Sequence, residues 1–188
     1  MSGSTRPSAT SLARIPVLVV DGYNGLRAGI AERGITRLVL DVEPVVVPWN
    51  AAPDRLAARI AEVCAWATAI PGLRELHFAS NGRMAAPQLP DAAGLTVSFT
   101  SRSGKPHGPA GLISAALADP RPTAVCGDQP MTDGRLAQRL GGVFFYWQQP
   151  ITSTPIWPLV QRWLGDRLVL DRLRLPGGAA ASVPGVRR

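Results

Sequence analysis

Short apolar runs alternate with segments of helical period along most of this chain, and that alternation constrains its fold more than any other feature. Residues 37–40, 75–79, 95–99, 123–126 and 143–146 read as strands. Three of these runs are apolar nearly throughout, as expected for strands covered on both faces. Residues 24–32, 53–68, 109–118, 132–140 and 155–164 read as helices. Pro53 suits a first helical turn, and Gly34, Gly141 and Gly142 suit helix stops. The alternation predicts an α/β fold, a three-layer Rossmann-like open sheet of about five parallel strands with helices on both faces and little or no cap. One domain is expected over residues 15–174, between a flexible tail at 1–14 and a Gly/Ala/Pro-rich, disordered tail at 175–188.

Composition narrows the function classes. With 188 residues, 46% hydrophobic and 18% charged, the chain can bury a proper core and is not disordered throughout. No apolar run approaches the roughly 18 residues that a membrane span needs. Residues 1–10 lack an apolar core behind a basic start, so no signal peptide is expected and the cytoplasm is the expected compartment. Cys64 and Cys126 lie in apolar surroundings and read as buried thiols. Two histidines, His77 and His107, exclude a zinc cluster.

The formal net charge of +7 invites a nucleic-acid reading, but the charge is badly placed for one. Residues 36–150 carry a net +1, residues 1–35 a net +2 and residues 151–188 a net +4. Nucleic-acid binders concentrate charge on the working surface, and no zinc-finger spacing or RNA-binding signature is present, so nucleic acid is not the expected partner. Among 20 basic residues, 19 are arginine and one is lysine, Lys105.

In open parallel sheets, ligands bind outside the carboxyl ends of the strands. Four of the expected strands end there in polar residues. These are Asp41-Val42-Glu43-Pro44-Val45, Ser80-Asn81-Gly82, Ser103-Gly104-Lys105-Pro106 and Gly127-Asp128-Gln129 with Asp133 beyond. Paired acids, a hydroxyl, an ammonium and a second acid pair fit phosphoryl transfer through an aspartyl-phosphate. A carboxylate nucleophile splits hydrolysis into two easier steps. Mg²⁺ takes hard oxygen ligands, often one or two carboxylates. An ammonium offsets the repulsion between carboxylate and phosphate, and a serine hydroxyl holds a phosphoryl oxygen for in-line attack.

In their order, these residues resemble the four motifs of the haloacid-dehalogenase-like (HAD) superfamily. More closely, they resemble the capless YqeG-type phosphatases of subclass IIIA. Gly34-Ile35, Val47-Pro48-Trp49, Ser80-Asn81, Lys105-Pro106 and Gly127-Asp128-Gln129 with Thr132-Asp133 carry the likeness, which spans roughly residues 17–165. The resemblance implies a Mg²⁺-dependent phosphatase acting on a small-molecule or lipid phosphomonoester. Asp41 would be the nucleophile and a metal ligand. Ser80, helped by Asn81, would bind the phosphoryl group, and Lys105 would neutralise nucleophile and phosphate. Asp128 would bind the metal, with Asp133 as a supporting acid. Glu43 would be the acid/base, its carbonyl also binding the metal.

The first motif departs from the pattern, with Glu43 where Asp is usual and Pro44 after it. Glutamate keeps the acid but is one methylene longer, and a displacement of about 1 Å can lower a rate a hundredfold. The alternative is therefore a catalytically weak HAD-fold protein that binds phosphate or another ligand. Near the C-terminus, Ile156, Val160, Trp163 and Leu164 share a helical face, with Arg162, Arg167, Arg172 and Arg174 nearby. That face is expected to pack on the sheet; the alternative is a basic amphipathic element resting on anionic membrane. His107, close to Lys105 in sequence, is a further candidate to line the site.

Overall fold

The computed structural model describes residues 13–148 and 155–173. Residues 1–12 of the expected tail at 1–14, the expected tail at 175–188 and Arg174 lie outside the described residues. Six parallel strands form one open sheet in the order β1-β6-β5-β2-β3-β4. They are β1 (Val17–Val20), β2 (Arg37–Asp41), β3 (Glu75–Ala79), β4 (Thr96–Thr100), β5 (Thr123–Gly127) and β6 (Val143–Trp147). The five expected strands are all present. The sixth, β1, is a four-residue edge strand just after Pro16, too short a run to separate from a loop by pattern alone; it pairs with β6 from Val17↔Phe144 to Val20↔Trp147.

The helices sort by the direction of each crossover. Helices α1 (Tyr23–Glu32) and α2 (Pro53–Thr68) follow β1 and β2, where the chain steps towards β4. Helices α3 (Ala110–Ala118) and α4 (Arg135–Arg139) follow β4 and β5, where it steps back towards β1. Right-handed crossovers place the two sets on opposite faces. The pleat divides the strand residues accordingly. Leu38, Leu40, Leu76, Phe78, Cys126 and Phe145 pack with Leu26 and Ile30 of α1 and with Leu56, Ile60 and Val63 of α2. Val39, Val125, Phe144 and Tyr146 pack with Leu136 and Ala137 of α4. Each fully buried Leu, Ile or Phe contributes about 1.5–3 kcal/mol. Cys64 and Cys126 are buried free thiols.

Two local features follow from residue type. Pro53 opens α2, where its missing N–H would be unpaired in any case. Gly34 follows α1 with φ of 59°, a conformation glycine adopts without a side-chain clash. The expected helix at 132–140 is present: a wider helical turn, Pro130–Gly134, runs directly into α4, which ends at Arg139. Residues 80–95, between β3 and β4, contain no helix, although parallel crossovers usually do.

At the C-terminal side, α5 (Ile156–Gly165) continues without a break through a wider helical stretch, Asp166–Leu170, into α6 (Asp171–Leu173). Val169, Leu170 and Leu173 complete the second core. The Ile15 N–H donates to the Leu173 carbonyl at 2.8 Å, and the Gln138 amide donates to the Ala13 carbonyl at 2.8 Å. Both ends of the described chain are therefore pinned to the second core.

Candidate active site

The chain reverses its direction across the sheet between β2 and β5, which are neighbours. At such a switch point the connections leave on opposite faces and open a crevice at the carboxyl ends of the strands. Asp41 is the last residue of β2, and Asp128 follows β5 directly. The topology alone thus sets these two carboxylates side by side.

Lys105 joins them. Its Nζ lies 2.7 Å from Asp41 Oδ1 and 2.6 Å from Asp133 Oδ1, with only 6% of the residue exposed. Asp41 Oδ1 also accepts from the Val42 N–H at 2.9 Å. Asp133 Oδ2 accepts from the Gln129 N–H at 3.2 Å. Gly127 is required here, since a β-carbon on it would overlap the Asp133 carboxylate. Asp128 is fully buried, and neither of its carboxylate oxygens has a hydrogen-bond partner.

The loop carrying Lys105 is fastened to the end of β3. The Asn81 side-chain oxygen accepts from the Ser103 hydroxyl at 2.9 Å and from the Lys105 N–H at 2.8 Å. The Asn81 amide donates back to the Lys105 carbonyl at 3.3 Å. Asn81 therefore holds the lysine in place, a role the sequence left to phosphate binding. Ser80 is buried, and its Oγ accepts from the Gly82 N–H at 3.0 Å.

Asp41, Glu43, Ser80, Asn81 and Lys105 all line one pocket of about 240 Å³. Glu43 enters it from an irregular turn, Val42–Val46, and its Oε1 accepts from the Asn50 N–H at 2.9 Å. Glu43 Oε2 and Ser80 Oγ both lie within 3.4 Å of the point where a β-carbon on Gly82 would sit. That glycine keeps the floor between them open.

Burial first, then the neighbouring Asp133, drives the Asp41 carboxyl well above the usual carboxylate range. The same causes push Asp128 up to about 7. Burial raises Glu43 as well. Burial pulls Lys105 down, but Asp133 and Asp41 overcome it and leave its pKa raised. With all groups ionised, three carboxylates and one ammonium leave two negative charges in a buried space. Oxygens of Asp41, Asp128 and Asp133 lie within 4.8 Å of one another. A hard divalent cation fits this donor set in both charge and ligand type, and the orphaned Asp128 oxygens are free to take it. The Glu43 carboxylate is not part of this cluster, and its Oε1 accepts from the Asn50 N–H. Asp133, expected as a supporting acid, lies within it.

The structure moves two other expectations. His107 is exposed, its ring 3.3 Å from Arg139 Nη1, and it does not line the pocket. The expected apolar face of α5 is largely exposed rather than packed on the sheet: Ile156, Val160 and Trp163 are exposed, as are Trp157 and Leu159 beside them, while Leu164 is half-buried. The burial falls one segment later, at Val169, Leu170 and Leu173, because Gly165 closes against Pro130 and Met131 and fixes the helix there. Trp157, Pro158 and Gln161 of α5 instead form part of the pocket wall, with Trp49, Gln129 and Thr132. Trp49, Gln129 and Thr132 stand in the motifs quoted from the sequence without a site role of their own, whereas nothing in the sequence singles out Trp157, Pro158 or Gln161. Comparison with protein-family models, with curated proteins and with solved structures finds no match to this chain.

Proposed function

We propose that this protein is a Mg²⁺-dependent phosphatase of the HAD type, hydrolysing a phosphate monoester through an aspartyl-phosphate on Asp41. The observation that carries the reading is the buried Lys105 ammonium bridging Asp41 and Asp133, beside the unpartnered Asp128 and the Ser80 pocket. In this reading Asp41, Asp128 and Asp133 hold the cation, which neutralises phosphoryl oxygens when bound.

Asp41 Oδ2 attacks phosphorus, forming the acyl-phosphate bond as the ester P–O bond breaks. Lys105 fixes the other Asp41 oxygen and keeps the carboxylate oriented. The Ser80 hydroxyl donates a hydrogen bond to a phosphoryl oxygen. Glu43, whose pKa burial raises, gives a proton to the departing alkoxide. The resulting carboxylate then takes a proton from a water that attacks the phosphorus, and Asp41 is released with inorganic phosphate.

Purified protein is expected to hydrolyse p-nitrophenyl phosphate with Mg²⁺, to stop on chelation, and to lose at least 1000-fold in Asp41→Asn, on the order of an activated nucleophile's contribution. Robust turnover by Asp41→Asn overturns the assignment. A second reading, phosphate binding with little turnover, rests on the hydrogen bond that turns Glu43 Oε1 towards Asn50. It predicts orthovanadate binding without hydrolysis, and a gain of activity in Glu43→Asp.

The substrate reading includes contact with an anionic surface, supported by the exposed face of α5 and the exposed Arg167 and Arg172 beyond it. Co-sedimentation with phosphatidylglycerol vesicles, lost on Trp157→Glu, is the expected result. Equal recovery with neutral vesicles counts against it.

A further inference from the structure

A larger cleft of about 480 Å³ adjoins the phosphoryl pocket. The two share Glu43, Trp49, Gly82 and Pro158 in their walls. At that volume the cleft falls within the range of small-molecule sites, roughly 300–1,000 Å³.

Its position bears on the leaving group. An acid that protonates a departing oxygen must face the phosphoryl site and the leaving group at once. Glu43 lines both spaces. A group attached to the phosphorus therefore continues past Glu43 into the cleft.

The walls bear on its chemistry. Beyond the shared residues, Ala51, Leu56, Met84, Ala85 and Pro155 make the cleft mostly apolar, with Asn50 and Arg83 as its other polar members. A sugar or nucleoside carries many hydroxyl and amide groups, and each left without a partner in such a site loses roughly 1–3 kcal/mol. An aryl or alkyl group leaves none unpaired. Met84, unbranched and polarizable, adapts to such groups. Residues 80–95, which cross between β3 and β4 without a helix, supply Gly82, Arg83, Met84 and Ala85 to its wall.

We propose that this cleft is the leaving-group subsite, and that the protein acts on phosphomonoesters whose leaving group is apolar, aryl or alkyl. The proposal rests on the phosphatase reading of the adjoining pocket.

The test uses a hydrolysis pair and a binding pair. 1-Naphthyl phosphate and glycerol 3-phosphate are compared by kcat/KM. Naphthylmethylphosphonate and methylphosphonate, which are not hydrolysed, are compared by calorimetry. The naphthyl member is expected to lead by at least tenfold in both comparisons. Ala85→Trp, which fills the cleft from an exposed position, and Met84→Asp, which charges its wall, are each expected to lower that lead by about tenfold, with circular dichroism unchanged. Equal binding of the two phosphonates by the wild type overturns the proposal, as does an equal loss for both probes in the variants. Selective phosphonate binding without hydrolysis of any phosphomonoester keeps the subsite and removes the phosphatase reading. Hydrolysis of both phosphates with no preference removes the subsite and keeps the phosphatase.

Discussion

Replacing Lys105 with methionine keeps most of the side-chain volume and removes only the charge. Its ammonium sits 2.7 Å from Asp41 and 2.6 Å from Asp133, almost wholly out of water. At these distances and an effective dielectric near 20, each attraction is about 6 kcal/mol before desolvation is subtracted. Burying an ion takes back several kcal/mol, so the net value is far smaller than the sum. Removing one partner of a buried pair nevertheless strands the others, at about 3–5 kcal/mol. Here the stranded groups are two carboxylates with a third, Asp128, within 4.8 Å. Lys105→Met is therefore expected to lose about 3–5 kcal/mol in urea unfolding at pH 7 without added cation. Adding Asp133→Asn removes one of the stranded charges and is expected to restore about 2 kcal/mol, a non-additivity of the size seen for groups in one network. A loss below about 1 kcal/mol in the single variant, or strictly additive losses in the double, would refute the view that Lys105 holds the acids together.

Three further outcomes follow from the same geometry. His77, on β3 with its Nδ1 2.5 Å from Ser98 Oγ, is pulled down to about 4 by burial and by Lys105. Its folded-state pKa lies below the unfolded value of 6.5, so its contribution is whole above pH 6.5 and is lost as pH falls towards 4, by about 3 kcal/mol. His77→Asn is expected to flatten the stability–pH curve over that window; identical slopes refute the assignment. Leu173 is fully buried, so Leu173→Ala is expected to lose about 2–5 kcal/mol in denaturant unfolding, while Trp163→Ala, at 57% exposure, changes stability by about 0.5 kcal/mol or less. Equal losses contradict the division between the exposed α5 and the buried segment after it. Mg²⁺ at 100 times its Kd is expected to stabilise the protein by about 2.7 kcal/mol in thermal unfolding. Asp128→Asn abolishes that gain, and an unchanged Mg²⁺ shift in the variant rules out Asp128 as a ligand.

The α/β class and the course of β2 to β6 are legible in the sequence because periodicity is local. Runs such as Leu38-Val39-Leu40 and Val143-Phe144-Phe145-Tyr146 declare strands covered on both faces wherever they end up. β1 escapes this reading, since four residues after a proline carry too little pattern. The rule that ligands collect at the carboxyl ends of parallel strands then singles out Asp41, Ser80, Lys105 and Asp128 without any knowledge of which strands are neighbours. Lys105 shows how composition sharpens such a reading: among 19 arginines, the lone lysine is the cation placed between two buried carboxylates.

Only the tertiary structure decides how those residues meet. Strand order sets β2 against β5, and so brings Asp41 to Asp128 across more than 80 residues of chain. No local pattern records that choice. The Lys105–Asp133 pair depends on the wider helical turn at 130–134, and the opposite loop is pinned by Asn81, whose type alone suggests a turn. Amphipathic spacing in α5 identifies an apolar face but not its partner. The close approach of Gly165 to Pro130 leaves that face in solvent and gives the burial to Val169, Leu170 and Leu173. Sequence period determines which elements form, whereas packing between distant elements determines which of their polar groups lose water and find one another.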